Sequence, residues 1–350
     1  VSIPPTESWT LLQGGLVFSV CAVIIAIAGT RITRIVDQLA DRTGIGEAAA
    51  GAVLLGASTS LGGSVLSVTA AWHGNVDLAV SNALGGIAVQ TFFLAVADMV
   101  YRRANLEHAA ASAPNMMQNG LLICLLALIL FAPYLPDVTV SGVHPVTPVL
   151  FAVYLYGIYL VRAASTSPMW LPSVTRETRE DKPDDVTAMP PLSRLWVEFL
   201  VLMAILGIAG WALEPAATVI ATKTNLTQTV VGVLLTAVST SIPELVTSVA
   251  AVRRGALTLA VGGIIGGNAF DTLFTAASDI AYRDGSIYHA MPEDSKFLAV
   301  LTILMSGVLM MGLIRRERHG IWKIGMESAV IMMLYVFGAV LLVAGIQTSS

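Results

Sequence analysis

The sequence predicts an all-α integral membrane protein of ten transmembrane helices, arranged as two inverted five-helix repeats with the N- and C-termini outside. Three observations predict it. Apolar runs of spanning length recur along the whole chain, Lys and Arg collect on one side of the implied bilayer, and the chain aligns with itself. Hydrophobic residues make up 55% of the 350 and charged residues only 12%, about half the charged share of a soluble domain. Mean hydropathy is +0.77. A soluble fold could not hide that much apolar surface, but a bilayer can.

Spans are expected at about 10–30, 45–71, 76–100, 117–135 and 147–163, then at 195–214, 226–252, 257–281, 296–314 and 322–346. Residues 1–163 form the first repeat and 194–350 the second. Between them, 164–193 reads as a solvated cytoplasmic linker rich in Pro, Arg, Glu and Asp. A regulatory ion site at Asp181, Asp184 and Asp185 is conceivable there, but a plain charged linker explains them. With the N-terminus outside, sixteen of the nineteen Lys and Arg fall in cytoplasmic loops, as the positive-inside rule requires. Lys223, Arg283 and Lys296 are the exceptions. The first apolar run is long enough to be a span rather than a cleaved leader.

Shifted by 181 residues, Gly51–Arg103 aligns without a gap on Gly232–Asp284, with 22 identities in 53 pairs. They include Ser58/Ser239, Thr59/Thr240, Ser60/Ser241, Gly85/Gly266, Gly86/Gly267 and Asp98/Asp279. Shared hydrophobicity does not match Ser-Thr-Ser or Gly-Gly, so the chain is a duplication. Five spans per half turn the second copy over in the membrane. Transporters with such repeats hold their substrate near the midplane, where the repeats meet.

The polar centres are Gly56-Ala57-Ser58-Thr59-Ser60-Leu61-Gly62-Gly63 and Ala237-Val238-Ser239-Thr240-Ser241-Ile242-Pro243-Glu244. Gly62-Gly63 and Pro243 weaken each helix beside its hydroxyls, and proline frees a carbonyl one turn back. Hydroxyls can glue helices together; carbonyls and hydroxyls also suit hard cations. Glu244 lies mid-span, where an unpaired carboxylate is costly. Its expected partner is Asp271, on a face shared with Asn268 and Thr275. Asp98 and Asp279 are read as pairing locally with Arg102 and Arg283, Glu198 with Arg194, and Glu327 with Lys323. Cys21 and Cys124 read as small buried hydrophobes. His73, His144 and His289 lack metal-ligand spacing.

Ser239–Val249 followed by Gly266–Asp271 resembles the second α-repeat of the Ca²⁺/cation antiporter superfamily, which includes the Na⁺/Ca²⁺ exchangers. Its pattern is Gly-Thr-Ser-Leu-Pro-Glu, then Gly-Asn-x-x-Gly-Ser and Asn or Asp. The resemblance covers both repeats. It implies ion ligands at Thr240, Ser241, Glu244 and Asp271, at Thr59 and Ser60, and at backbone carbonyls near Gly56 and Ala237. Asn82 matches the pattern. The first repeat departs from it: Gly63 stands where the family has a second glutamate, and Gln90 where it has Asn or Asp. Gly86 and Gly267 replace the motif's serine. Water, Ser64 or a carbonyl could fill the space at Gly63.

The expected function is secondary active cation antiport, Ca²⁺ against Na⁺ or H⁺. The alternatives are a monovalent cation/proton exchanger and a non-transporting ion-binding membrane protein. No enzyme motif occurs within a span and no resident cofactor is implied. The partners are the lipid bilayer, in a plasma or inner membrane, and inorganic cations. The absence of a basic patch interleaved with aromatics argues against nucleic acid.

Overall fold

The computed structural model describes residues 8–43, 56–101, 104–166, 169–171, 190–255, 257–317 and 325–345. In the first half the helices are α1 (Leu11–Thr43), α2 (Gly56–Thr59), α3 (Leu61–Trp72), α4 (Val76–Val100), α5 (Leu106–Ala110), α6 (Ala113–Phe131) and α7 (Val146–Thr166). The second half has α8 (Leu192–Thr224), α9 (Gln228–Val231), a π-helical turn at Gly232–Thr236, α10 (Ala237–Thr240) and α11 (Ile242–Arg254). It continues with α12 (Leu257–Ala281), α13 (Ile287–Ala290), α14 (Glu293–Arg315) and α15 (Met326–Val343). Among the described residues the β-structure is one isolated bridge, Val140 with Val143.

Each of the ten expected spans coincides with helix in its described part. Among the described residues, seven single helices, α1, α4, α6, α7, α8, α14 and α15, are long and apolar enough to cross a membrane. The segments Gln228–Thr240 and Ile242–Arg253 would together make an eighth, bent by 45° at Ser241. The start of the second expected span, the acidic linker at Asp181, Asp184 and Asp185, and Arg102 and Lys323 lie outside the described residues.

The duplication is wider in the structure than in the sequence. A shift of 181 carries Leu11–Thr43 onto Leu192–Thr224, Gly56–Thr59 onto Ala237–Thr240 and Val76–Val100 onto Leu257–Ala281. Helix α1 shares little sequence with α8, because a lipid-facing stripe demands only apolarity. Leu12, Leu16, Val20, Val23 and Ile27 expose that stripe on α1, and Val197, Leu200, Val201 and Ile208 do so on α8.

Helices α1 and α8 lie against each other and reach the two broken spans through glycines. A Cβ on Gly29 would overlap the Pro243 ring, and one on Gly210 would overlap the Gly62 carbonyl. Both pairs are related by the same shift. Without side chains at these positions, helix can rest directly on each break. Helices α4 and α12 cross at the centre, where a Cβ on Gly85 would lie 3.0 Å from Val233 Cα.

One expected pair is replaced by longer-range contacts, while Arg102 and Lys323, the expected partners of Asp98 and Glu327, lie outside the described residues. Asp279 does not pair with Arg283. It is buried and accepts from the backbone N–H of Ile287 (3.1 Å) and of His144 (2.8 Å), and from Thr147 Oγ1 (2.6 Å). Asp98 accepts from the N–H of Leu106 (2.6 Å) and of Gly325 (2.9 Å). A guanidinium four residues on would stay at the surface, whereas these N–H groups sit inside, where a buried carboxylate needs donors. Glu327 faces Arg315, Nη1 to Oε1 3.6 Å. Glu198 does take Arg194 (3.0 Å), and Arg31 as well (3.5 Å). Cys21 is buried, but Cys124 faces outward.

Candidate functional site

Each half breaks at the third hydroxyl of its Ser-Thr-Ser run. Ser60 (φ −86°, ψ 2°) and Ser241 (φ −98°, ψ 2°) both leave helical geometry. In the second half Pro243 then occupies the first turn of α11, where its missing N–H costs least. The break points the Ser-Thr-Ser hydroxyls and the first turn of α11 inward against α4 and α12.

Glu244 and Asp271 are 5% and 2% exposed. Ser60 Oγ donates to Glu244 Oε1 at 3.3 Å, so the hydroxyl of one repeat meets the carboxylate of the other. Gln90 Nε2 donates to Asp271 Oδ2 at 2.6 Å and to Ser241 Oγ at 3.3 Å. Asn268 Nδ2 donates to Thr91 Oγ1 at 3.0 Å. Asn82 Nδ2 donates to the Gly63 carbonyl at 3.1 Å and to Ser67 Oγ at 2.9 Å. These amides spend their N–H groups on the protein. Glu244 Oε2, Asp271 Oδ1, Gln90 Oε1, Asn268 Oδ1, Asn82 Oδ1 and Thr275 Oγ1 are left buried without a hydrogen-bond partner. Buried oxygens are not left so without cause, and orphaned oxygens around two carboxylates suit a dehydrated cation.

The structure thus brings Ser60, Gln90, Ser241, Glu244 and Asp271 together, with Thr59 also beside Glu244. Asn268 adjoins them through Thr91. Thr240 is turned back on its own helix, Oγ1 donating to Thr236 O at 2.9 Å and Ala237 O at 3.3 Å. Thr59 Oγ1 donates to Gly56 O at 3.4 Å. The carbonyls of Gly56 and Ala237 are therefore not set free by the break. They also accept the N–H of Ser60 (3.1 Å) and of Ser241 (3.0 Å). The carbonyl that Pro243 deprives of its helical donor is four residues back, at Ser239.

The space at Gly63 is bordered by an aromatic ring and a hydroxyl. A Cβ there would lie 3.4 Å from both Phe274 Cε2 and Thr240 Oγ1. Phe274 thus lies where a second glutamate would enter. Phe274 and Thr91 escaped the sequence analysis although each belongs to an identical repeat pair, with Phe93 and Thr272. Gly86 and Gly267, read as packing glycines, also wall the site. Their Cβ positions lie 3.7 Å from Asp271 Oδ2 and 3.4 Å from Gln90 Oε1. Among the described residues no three His, Cys, Asp or Glu side chains converge on a metal position. The centre is two carboxylates among neutral oxygens.

A cavity of about 780 Å³ leads away from Glu244. Gly56, Thr59, Thr247 and Ser248 line it near the carboxylate, and Thr33, Arg34, Asp37 and Arg253 line its far end. At the opposite end of the same helices the packing is shut. Glu214 of α8, 3% exposed, meets His73 Nδ1 at 3.2 Å and accepts from Asn75 Nδ2 at 3.0 Å and Thr218 Oγ1 at 3.3 Å. The shift of 181 relates Glu214 and Thr218 to Thr33 and Asp37, which line the cavity instead.

Known proteins share this plan. The chain is 27% identical over 238 residues to the inner membrane protein YrbG of Escherichia coli (strain K12), covering 68% of this chain and 70% of that one. Its fold is that of the H⁺/Ca²⁺ exchanger CAX (TM-score 0.69, 13% identity, 95% of this chain and 85% of that one). The sodium-calcium exchanger NCX_Mj shares it too (TM-score 0.61, 17% identity, 95% and 99%). The family model for the sodium/calcium exchanger protein matches twice, at residues 14–164 and 194–344, once in each half. With both halves matched, the chain belongs to the sodium/calcium exchanger protein family, as an integral membrane protein built from two repeats.

Proposed function

We propose that the protein is a secondary active cation antiporter, with Ca²⁺ as the cation and Na⁺ or H⁺ as the counter-ion. The observation that carries this reading is the pair Glu244 and Asp271: two buried carboxylates of the second repeat, met by Ser60 and Gln90 of the first, each with an oxygen lacking a partner. Their two charges match one divalent ion or two monovalent ones. Ser60, Ser241, Gln90 and Asn268 would add neutral oxygens toward the six to eight that Ca²⁺ takes. Thr59, Thr240 and the carbonyls of Gly56 and Ala237 would join only if their present hydrogen bonds are shared or exchanged.

Alternating access follows from the ends of the cavity. The Arg34–Arg253 end is open to Glu244 and the Glu214 end is closed. In the reading of ten spans with both termini outside, the open end is cytoplasmic, at an inner or plasma membrane. Transport then slides α1 and α8 along Gly62 and Pro243, breaking the contacts of Glu214 and closing the cavity at Thr33 and Asp37. The names of YrbG, CAX and NCX_Mj support an exchanger at a membrane, not an enzyme.

A monovalent cation/proton exchanger is the second reading, favoured by Phe274 in the place of a glutamate and by Gln90 opposite Asp271. Reconstituted vesicles separate the two. Radioactive Ca²⁺ uptake driven by a Na⁺ or pH gradient, and lost in Glu244→Gln, is the expected result. Na⁺ or K⁺ flux against H⁺ without Ca²⁺ flux would favour the second reading. Ca²⁺ uptake undiminished in Glu244→Gln would remove the site.

A further inference from the structure

The duplicated aspartates Asp98 and Asp279 build the same device at opposite ends of the molecule, with one difference. Each accepts the N–H of the residue eight positions on, Leu106 or Ile287, and an N–H from the other half, Gly325 or His144. In the second copy the ring closes on neutral groups: Thr147 Oγ1 donates to Asp279 and lies 2.8 Å from Tyr288 Oη. The shift of 181 turns Thr147 into Ser328 and Tyr288 into Glu107. A second carboxylate thus replaces a phenol. Ser328 Oγ donates to Glu107 Oε1 at 2.7 Å, but Glu107 Oε2 has no partner, and the residue is 4% exposed.

That orphaned oxygen shares its surroundings with Asp98. A Cβ on Gly325 would lie 3.0 Å from Glu107 Oε2 and 3.3 Å from Asp98 Oδ2, so both oxygens border one point. Glu327 of α15, 8% exposed, is a third carboxylate, and among the described residues Arg315 of α14 approaches it. Arg316 is turned away: Nη2 donates to the His108 carbonyl at 3.1 Å, and the Arg316 carbonyl meets His108 Nδ1 at 2.6 Å. Helix α12, also packed against α5, carries no titratable residue over Leu257–Ile265.

We propose that Glu107, with Asp98 and Glu327, is a proton-binding site at the Arg315 end of the molecule, distinct from the Glu244–Asp271 centre. A proton on the Glu107 carboxyl would let it donate to Ser328 Oγ, as the Tyr288 phenol does to Thr147 Oγ1 on the other side, and free that hydroxyl for Asp98. Like carboxylates this close cannot all ionise without repulsion. Burial, with the charges of Asp98 and Glu327 added, pushes the Glu107 carboxyl up to about 7. Among the described residues, loss of the proton leaves three carboxylates facing one Arg. The short α5 then loosens from α14 and α15. The site stands on its own geometry and does not depend on the chain being a transporter.

The test is hydrogen exchange of the α5 backbone in the purified full chain, at about pH 6 and about pH 8, corrected for intrinsic rates. Wild type should lose protection over 104–111 by roughly tenfold at the higher pH, a local opening. Glu107→Gln, whose amide still donates, should keep it at both. Unchanged protection in wild type, or the same pH response in Glu107→Gln, overturns the proposal. If that variant does not fold, an infrared titration of wild type must show a buried carboxylic acid ionising in the same interval. Adding Ca²⁺ at the higher pH is the last arm. Protection restored by Ca²⁺ would make this a metal site and overturn the assignment to a proton; no effect supports it.

Discussion

Removing the Glu214 side chain isolates the closed end of the molecule. In Glu214→Ala three contacts go, but they do not count equally. Thr218 is one turn along the same helix, so its bond survives any sliding of α8 and cancels between conformations. The His73 side chain is 48% exposed, which limits its contact to about 0–1 kcal/mol. The bond from Asn75 to a buried carboxylate is worth about 1.5–3 kcal/mol. A bias of about 2–3 kcal/mol toward the conformation of this structure would therefore disappear, about 30- to 150-fold in the equilibrium constant. The assay labels Val36→Cys and Ala217→Cys, in separate proteins without Cys21 and Cys124, with an impermeant thiol reagent. These positions are related by the shift of 181; Val36 lines the cavity and Ala217 is buried at the closed end. The ratio of their labelling rates tracks the equilibrium, and Glu214→Ala should move it toward Ala217→Cys by about that factor. Thr218→Ala should leave it alone. A ratio unchanged in Glu214→Ala, in protein that remains monodisperse, would refute the reasoning.

Three further outcomes are expected. Gly210→Ala sets a methyl on the Gly62 carbonyl and should cost about 1–3 kcal/mol as overpacking, read as a lowered thermal midpoint; Gly15→Ala, with open space around it, should cost nothing. Gln90→Glu places a third carboxylate against Asp271, so the cation-free protein should melt earlier and recover with Ca²⁺; destabilisation that Ca²⁺ does not reverse would contradict the site. Glu107 binds its proton more tightly folded, at about 7 against an ordinary 4.5. Its stabilisation is thus complete below about pH 4.5 and lost as pH rises through about 7, some 3 kcal/mol in all. Chemical denaturation of wild type and Glu107→Gln across that interval should agree at the lower end and separate at the upper end, wild type being the less stable there.

The candidate centre was legible because mid-span polar residues are expensive. Glu244 and Asp271 stand out from their apolar surroundings, and the alignment of repeats alone pairs Gln90 with Asp271. Helix ends were legible for the same reason: the runs at 76–100 and 257–281 coincide with α4 and α12. What could not be read is contact between the halves. The partners of Asp279 at His144 and Thr147 are 135 and 132 residues away, whereas spacing along a helix suggested Arg283. Nor does a sequence say which way a ring turns, so the filling of the Gly63 space by Phe274 awaited coordinates. Glu214 hid for another reason: its companions are an ordinary loop histidine and asparagine, neither of them duplicated.

The two bearings on which α1 and α8 rest are unlike, glycine at Gly62 and proline at Pro243. Exchanging the roles of the halves therefore does not restore the same molecule, and the two extremes of the cycle differ in energy. A substrate arriving at the face that is closed at rest meets only the fraction of molecules open to it. Its apparent affinity there is the intrinsic one reduced by that fraction. Even a centre with unchanged chemistry would then half-saturate at different concentrations on the two sides, so the bearings, not the carboxylates, would set which compartment is emptied to the lower level.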